Sequence, residues 1–151
     1  MTGKETADRQ KILDILHELL DDVNTRQKDT VNGLMAPAFH SLHPEDQSAT
    51  FCYKVHPWEA NRFGQLHGGI MTTMMDHACG LTITAYTGHK APTLHLTTDY
   101  IRPAAVGEEL LVTACIVSAG RRVIRMRGEI CRQDSGKLVA TCTGSFFIRE
   151  A

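Results

Sequence analysis

Residues 61–76 read NRFGQLHGGIMTTMMD, and they predict a loop that turns on two glycines into a helix ending near Tyr86. The helix is apolar around nearly its whole circumference, and its apolar members are Ile70, Met71, Met74, Met75, Ala78, Cys79, Leu81, Ile83 and Ala85. Helices of that composition are usually buried in a protein core. We therefore expect this helix to lie at the centre of the fold.

Asp76 stands in the middle of that apolar helix. No Lys or Arg occurs between Arg62 and Lys90 to pair with it locally. A buried carboxylate without a partner is costly. Asp76 therefore requires either a hydrogen-bonding network, for example the hydroxyls of Thr72 and Thr73, or a chemical role.

The segment His67-Gly68-Gly69 stands at the predicted start of the helix. Backbone N–H groups of a first helical turn lack intrahelical acceptors, and the helix dipole is positive there. Such a helix start can hold an oxygen that becomes negative in a transition state. Asp76 lies seven residues beyond Gly69, roughly 10 Å along the axis, too far to serve the same carbonyl easily. We therefore hypothesise that two antiparallel copies of the helix, from two subunits, share one site.

The pattern of Asn61, His67-Gly68-Gly69 and Asp76 resembles the active-site motif of hotdog-fold acyl-CoA thioesterases of the phenylacetate-pathway type. The resemblance covers residues 50–148. It implies an α+β hotdog fold, in which a curved antiparallel β-sheet wraps around a long central helix. We expect an extra N-terminal helix and packing loop over residues 1–48 and the hotdog thioesterase domain over residues 49–151, with the whole chain forming one structural unit.

The resemblance also implies roles for the residues of the motif. Asp76 would act as general base on the hydrolytic water or attack the thioester carbonyl directly, and the sequence leaves both routes open. Asn61 would orient the nucleophile or the thioester, Gly68 would supply an oxyanion-hole N–H, and His67 would polarise or position the thioester. The alternatives are a turn residue for Asn61, backbone geometry for Gly68 and turn stabilisation for His67. Gly69 is a candidate for contact with the CoA thioester, and its lack of a side chain allows close packing at the helix start.

The strand after the helix carries a candidate hydroxyl. Thr93 begins that strand, and similar thioesterases place a Ser or Thr hydroxyl there to hold the water. The preceding loop differs in this chain, so that Thr97 and Thr98 are the alternatives.

Coenzyme A ends in phosphates, so a basic cluster is expected near the mouth of the pocket. Arg102, Arg121 and Arg122 are the candidate suppliers, with ordinary solvated arginines as the alternative. Coenzyme A would be part of the substrate, and no cofactor is expected. No His-x-x-x-His or Cys/His pair has the spacing of metal ligands, so no metal site is predicted, and His77 is expected to be a packed or interface histidine.

Periodicity predicts the remaining elements. An amphipathic helix is expected from Thr6 to Asn24, followed by an irregular packing loop to residue 48. Alternation and turn residues predict five strands: Ala49–His56, Thr93–Arg102, Glu109–Ala119, Val123–Gln133 and Leu138–Ile148.

Composition narrows the function class. At 151 residues with 42% hydrophobic content, the chain is long enough for one domain with a core. A net charge of −1 indicates neither a nucleic-acid nor an anionic membrane partner. The polar N-terminus predicts a cytosolic protein, and the five cysteines predict no disulfide framework.

The resemblance of the motif to that of hotdog thioesterases implies an acyl-CoA thioesterase that releases a free acid and CoA. Homodimers would be required for the site, and the resemblance implies a homotetramer. Two alternatives stay open: a hotdog (3R)-hydroxyacyl dehydratase, and a non-catalytic acyl-CoA-binding protein.

Overall fold

The computed structural model describes residues 3–149. Its helices are α1 (Gly3–Thr25), α2 (Val31–Leu34) and α3 (Gly68–Thr87), and its strands are β1 (Ala38–His43), β2 (Ser48–Lys54), β3 (Thr93–Tyr100), β4 (Glu109–Ala119), β5 (Val123–Arg132) and β6 (Leu138–Phe147). Short 3₁₀ turns at Pro44–Asp46 and Pro57–Glu59 flank β2. The predicted helices and strands are confirmed, with bounds that differ by a few residues.

The strands form one six-stranded sheet in the order β1-β2-β4-β5-β6-β3, and every neighbouring pair is antiparallel. α3 packs across one face of this curved sheet and contacts β2 to β6. The central, buried helix predicted from the sequence is therefore confirmed. β3 lies at one edge of the sheet and pairs only with β6, so that its other side carries backbone groups without a strand partner among residues 3–149.

Strand periodicity separates the two faces of the sheet. In β5, Ile124 and Met126 point toward α3 and are fully or almost fully buried, whereas Arg125 and Arg127 are exposed on the opposite face. Antiparallel sheets with one wet face show this alternation.

β1 is an element that the sequence did not predict. The segment was expected to be an irregular loop, but it pairs with β2 along the edge of the sheet. A bulge between Phe39 and Ser41 shifts the register. Phe39 and Leu42 therefore pair with Phe51 and Ala49, which are two residues apart on β2, although they are themselves three residues apart on β1. The bulge erases the alternation by which a strand is identified from its sequence.

α1 covers part of α3 that the sheet leaves uncovered. It contacts α3, α2 and β1. Its side chains Leu16, Leu20 and Val23 are at most 6% exposed and belong to the core or lie beside it. The amphipathic helix predicted from Thr6 to Asn24 is confirmed, and its apolar side packs against α3. Within residues 3–149, no helix combines the length and the apolarity that crossing a membrane requires.

Candidate active site

The loop before α3 is held in shape by Asn61. Its side-chain Oδ1 accepts hydrogen bonds from the backbone N–H groups of Phe63 (2.9 Å) and Gln65 (3.2 Å). The backbone N–H of Asn61 donates to the carbonyl of Gln65 at 2.6 Å. Gly64 supplies the positive φ of +72° that this turn needs. Asn61 therefore fills the turn role foreseen as its alternative, and its amide nitrogen takes no part in these bonds.

His67 caps the start of α3. Its Nδ1 accepts from the N–H of Gly69 at 2.9 Å, and its carbonyl accepts from Ile70 and Met71 at 2.9 and 3.1 Å. A Cβ at Gly69 would lie only 3.0 Å from Nδ1 of His67, so the predicted close packing at Gly69 is present. Gly68 is the one residue of the first turn whose N–H finds no acceptor within residues 3–149. An N–H in that position can bind an anionic oxygen.

Tyr100, at the end of β3, lies beside this free N–H. A Cβ added to Gly68 would sit 3.2 Å from Cε1 and Cζ of the Tyr100 ring. The Tyr100 hydroxyl bonds the Thr72 hydroxyl at 2.7 Å, and Thr72 in turn donates to Thr98 at 3.0 Å. A cavity of about 250 Å³ opens here, and Leu66, Gly68, Met71, Tyr100, Ile101, Arg102 and Pro103 line it. Sequence reasoning missed Tyr100, although alternation along β3 places it on the same side as Thr98.

Asp76 has a hydrogen-bond partner from outside its own helix. Thr93 Oγ1 donates to Asp76 Oδ1 at 2.5 Å. This contact corrects the expectation that the network would come from Thr72 and Thr73, because the Thr73 hydroxyl donates to the Gly69 carbonyl instead. The hydroxyl that reaches the carboxylate therefore belongs to Thr93. The two alternatives along β3 have other partners: Thr97 bonds His95, and Thr98 accepts from Thr72. Asp76 is half-buried, not fully buried, and lies in a second cavity of about 480 Å³.

Gly68 and Asp76 do not meet within one chain. They stand eight residues apart on α3, about 12 Å along the helix axis at the usual helical rise. They also line different cavities, one next to Tyr100 and one next to Thr93. One chain therefore cannot present both groups to a single carbonyl.

The three candidate arginines fall into two groups. Arg102 lines the cavity beside Gly68 and donates from Nη1 to the Leu138 carbonyl at 2.8 Å. Arg121 and Arg122 are exposed in the turn between β4 and β5, where the Arg122 carbonyl accepts from the N–H of Ile148 at 2.8 Å. That turn lies at the opposite end of the sheet, the end at which Thr93 begins β3.

Glu59 is a buried carboxylate that sequence reasoning missed. It is 1% exposed, and its Oε2 accepts from the N–H of His56 at 2.7 Å, whereas Oε1 has no partner among the described residues. Burial raises the pKa of Glu59, and the hydrogen bond from the His56 backbone opposes that rise. Its backbone carbonyl accepts from the N–H of His67 at 2.8 Å, so this turn supports the helix start. The sequence signal was the capping pattern of Pro57 followed by Glu59.

His77 is a packed histidine, one of the two roles expected for it. It is 9% exposed, and its Nδ1 lies 3.1 Å from the hydroxyl of the fully buried Tyr53. Desolvation by burial lowers the pKa of His77 to about 4 and raises that of Tyr53. Across residues 3–149, no three or more His, Cys, Asp or Glu side chains cluster so as to hold a metal ion.

Comparison with known proteins agrees with this architecture. Residues 63–139, slightly more than half of the chain, match the family model of the thioesterase superfamily. Acyl-coenzyme A thioesterase 13 of Mus musculus is 30% identical over 89 residues, which are 58% of this chain and 63% of the relative. The chain therefore spans somewhat less than two thirds of the length of this curated relative.

Two solved structures extend the likeness. A phenylacetic acid degradation-related protein from Ralstonia eutropha is 30% identical, with a TM-score of 0.71 over 78% of this chain and 89% of that one. A Streptococcus mutans protein solved with acetyl-CoA bound is 25% identical, with a TM-score of 0.68 over 75% of this chain and 88% of that one. The family match, the sheet wrapped around a central helix and these likenesses identify the chain as a hotdog-fold member of the thioesterase superfamily, of the phenylacetate-pathway type.

Proposed function

We propose that the protein hydrolyses an acyl-CoA thioester to a free acid and CoA, at a site that two subunits build together. The observation that carries the proposal is the arrangement along α3. A free N–H at Gly68 and a hydroxyl-bound carboxylate at Asp76 lie on one helix but open into separate cavities. Each group supplies half of the chemistry that thioester hydrolysis requires.

The electrophilic half of the site is the start of α3. The thioester oxygen accepts a hydrogen bond from the N–H of Gly68, where the dipole of a 20-residue helix is positive. As the carbonyl carbon becomes tetrahedral, that oxygen gains negative charge, and the N–H stabilises it more strongly than the ground state. Loss of one such donor costs enzymes about 10²–10³ in kcat.

The nucleophilic half is Asp76 with Thr93. In one route the carboxylate takes a proton from water, the water oxygen bonds to the carbonyl carbon, and the C–S bond breaks to release the CoA thiolate, which is then protonated. In the other route a carboxylate oxygen attacks the carbonyl carbon itself, the C–S bond breaks to release the CoA thiolate, which is then protonated, and water hydrolyses the resulting anhydride. The Thr93 hydroxyl orients the carboxylate in both routes.

The two halves come together through a dimer. Because β3 is an exposed edge strand with Leu94 and Tyr100 at least half exposed, it offers pairing groups and apolar surface to a second copy. A two-fold axis would then set the α3 helices antiparallel and bring Asp76 to Gly68 of the partner subunit. Pairing of dimers into a tetramer and a cytosolic location stay predictions.

The other motif residues have supporting roles in this proposal. Asn61 shapes the loop, and Gly69 shapes the helix start. His67 positions the thioester through Nε2, because its Nδ1 already accepts from the N–H of Gly69. Arg102 on one side and Arg121 with Arg122 on the other are the groups offered to the CoA phosphates. The proposed chemistry uses no metal and no redox cofactor, and CoA enters only as part of the substrate.

The comparisons support a CoA thioester as the substrate class. The mouse relative is named for acyl-CoA hydrolysis, and the Streptococcus mutans structure contains acetyl-CoA.

Thiol release from a panel of acyl-CoAs tests the proposal. Wild type is compared with Asp76→Asn, and with Asp99→Asn as the matched control. Asp99 lies on β3, the strand that also carries Thr93, but it lines a groove on the opposite face of the sheet from α3. We expect Asp76→Asn to lower kcat/KM by about 10² or more, roughly 2.7 kcal/mol of transition-state stabilisation. Asp99→Asn should retain wild-type turnover, and both variants should melt near the wild-type temperature.

Other outcomes would redirect the assignment. Tight binding of acyl-CoAs without any thiol release would indicate a binding protein. Conversion of a (3R)-hydroxyacyl-CoA to water and an enoyl-CoA, without thiol release, would indicate a dehydratase. Full activity in Asp76→Asn would show that Asp76 is structural.

A further inference from the structure

The cavity beside Gly68 contains a polar group that the reaction described above does not use, the hydroxyl of Tyr100. This cavity, of about 250 Å³, lies where the start of α3 meets the end of β3. Its wall offers hydrogen-bond donors at the N–H of Gly68 and at the guanidinium of Arg102. Among the described side chains that line it, only that of Tyr100 carries an oxygen. The Tyr100 hydroxyl is therefore the side-chain oxygen that a donor of a bound molecule can meet here.

The neighbouring hydroxyls determine the direction in which Tyr100 forms its hydrogen bond. Thr72 Oγ1 donates to Thr98 Oγ1 at 3.0 Å and lies 2.7 Å from the Tyr100 hydroxyl oxygen. A hydroxyl has one hydrogen to donate and two lone pairs to accept with. Because the hydrogen of Thr72 goes to Thr98, Tyr100 is the donor in its bond with Thr72. The Tyr100 hydroxyl then has no hydrogen left for a ligand and can only accept from it.

The position of Tyr100 relates this acceptor to the free N–H of Gly68. The Tyr100 ring lies against Gly68, only 3.2 Å from where a Cβ would be, and the residue is 55% exposed. Its hydroxyl reaches Thr72, which stands four residues beyond Gly68 on α3, roughly one helical turn of about 5.4 Å. A ligand that satisfies both groups must present an acceptor and a donor about one helical turn apart.

We infer that the Tyr100 hydroxyl accepts a hydrogen bond from the amide N–H nearest the sulfur of CoA, and thereby holds the thioester carbonyl at the N–H of Gly68 in the same chain. This inference rests on the proposed thioesterase function. In an acyl-CoA, a sulfur and two methylene groups separate the carbonyl carbon from that amide nitrogen, a span comparable with one helical turn of about 5.4 Å. Tyr100 therefore favours thioesters of amide-bearing thiols over simple alkyl thioesters.

The test removes the hydroxyl from the protein and, separately, the amide N–H from the substrate. Two thioesters share the acyl group that is turned over fastest as its CoA ester. One is the N-acetylcysteamine thioester, and the other is the 2-acetoxyethyl thioester, in which an ester oxygen replaces the amide N–H. Tyr100→Phe removes the hydroxyl and keeps the ring against Gly68. Tyr86→Phe is the matched control, because Tyr86 is half-buried and its hydroxyl donates to the Ser48 carbonyl at 3.1 Å, away from this cavity.

We expect wild type to show a kcat/KM about fivefold higher for the amide thioester than for the ester thioester, since one neutral hydrogen bond is lost. Tyr100→Phe should hydrolyse both with equal kcat/KM, and Tyr86→Phe should keep the wild-type preference. The preference should lie in KM, because the amide is bound alike in the ground and transition states, whereas a disturbed Gly68 would lower kcat for both thioesters. A wild type without preference, or a Tyr100→Phe variant that retains it, would overturn the inference.

A binding measurement separates this inference from the proposed function. NMR titration gives Kd values for the acyl-CoA and for both small thioesters, with Asp76→Asn and with Asp76→Asn/Tyr100→Phe. The second protein should lose about fivefold in affinity for the two amide-containing thioesters and nothing for the ester thioester, whether or not wild type releases thiol. Absence of thiol release from wild type would refute the proposed function alone. Unchanged Kd values, or an equal loss for all three thioesters, would refute the role of Tyr100 alone.

Discussion

Two regions of the α3–β3 pair differ in the charge that they stabilise. At the Gly68 end, formed by Gly68, Tyr100 and Arg102, the free N–H and the positive end of the helix dipole favour a negative oxygen. At the Asp76 end, formed by Asp76 and Thr93, the negative charge belongs to the protein itself, and the carboxylate accepts a hydrogen bond from the Thr93 hydroxyl.

The separation of the two ends has a physical reason. A carboxylate placed at the helix start would itself occupy the position meant for the thioester oxygen, because the N–H and the dipole would bind it. About 12 Å of helix between the two groups prevents this. In the proposed function, each chain would therefore contribute two half-sites to a dimer rather than one complete site.

Mixed dimers test that division most directly. Asp76→Asn and Gly68→Val should each lose about 10² or more in activity, since one removes the carboxylate and the other places a side chain against the Tyr100 ring. When the two inactive proteins are unfolded and refolded together, half of the dimers should be mixed, and each mixed dimer should contain one intact site. Activity should then return to about a quarter of the wild-type value.

Each inactive protein refolded alone is the control for that experiment. If the mixture stays as inactive as its components, the two groups act within one chain and the half-site comparison fails.

The stability of the whole chain should also depend on pH through His77, which is buried at the Asp76 end. The folded pKa of about 4 lies below the ordinary value of 6.5, so the unfolded chain binds the proton more readily. The contribution of His77 to stability is therefore complete above pH 6.5 and is lost as pH falls toward 4. Between pH 7 and pH 5 this loss is about 2 kcal/mol.

Denaturant unfolding at several pH values measures that loss. His77→Gln should flatten the dependence between pH 7 and pH 5, since its amide oxygen can still accept from Tyr53. His89→Gln is the control, because His89 is exposed and should leave the wild-type slope unchanged. An unaltered slope in His77→Gln would show that other groups cause the acid sensitivity.

Thr93 provides a smaller effect at the same end. Thr93→Val removes the hydroxyl that donates to Asp76 while preserving the shape of the side chain. A hydrogen bond to a charged group contributes about 1.5–3 kcal/mol, and the lower end applies because Thr93 is exposed, so we expect kcat to fall about 10-fold. Thr93→Ser should retain most of the activity in the same thiol-release assay. Equal activity of the Val and Ser variants would exclude a role for the hydroxyl.

The smallest effect concerns the CoA phosphates. Arg102→Gln should raise KM for acyl-CoA by about threefold, because an exposed charge pair with a phosphate contributes little. Arg122→Gln at the opposite end of the sheet is the comparison. Acyl-pantetheine, which lacks the nucleotide, should show no change with either variant. If only Arg122→Gln raises KM, the nucleotide lies at the Asp76 end and the assignment of Arg102 is wrong.

The sequence predicted the central helix because its apolar side chains have helical spacing and leave no broad polar face. Strand alternation likewise predicted β2 to β6, where one side of each strand meets the core. β1 could not be predicted, since its bulge breaks the period on which such predictions depend.

For the candidate site too, the sequence predicted some residues and could not predict others. Asp76 and Gly68 were singled out by their positions on the predicted helix, and Thr93 by the resemblance to hotdog thioesterases. Tyr100 and Glu59 were not, because their importance lies in contacts with Gly68 and with the N–H of His67, made across the fold.

By itself, the sequence determined that a buried helix carries an acid in its middle and two glycines at its start, since side-chain type and spacing decide both. Only the tertiary structure decided which N–H is left free, which hydroxyl reaches Asp76, and which face of α1 borders its cavity. Those outcomes depend on distances between segments that lie far apart in the chain. Local propensity contains no information about such distances, because they are determined only when the sheet, α3 and α1 pack together.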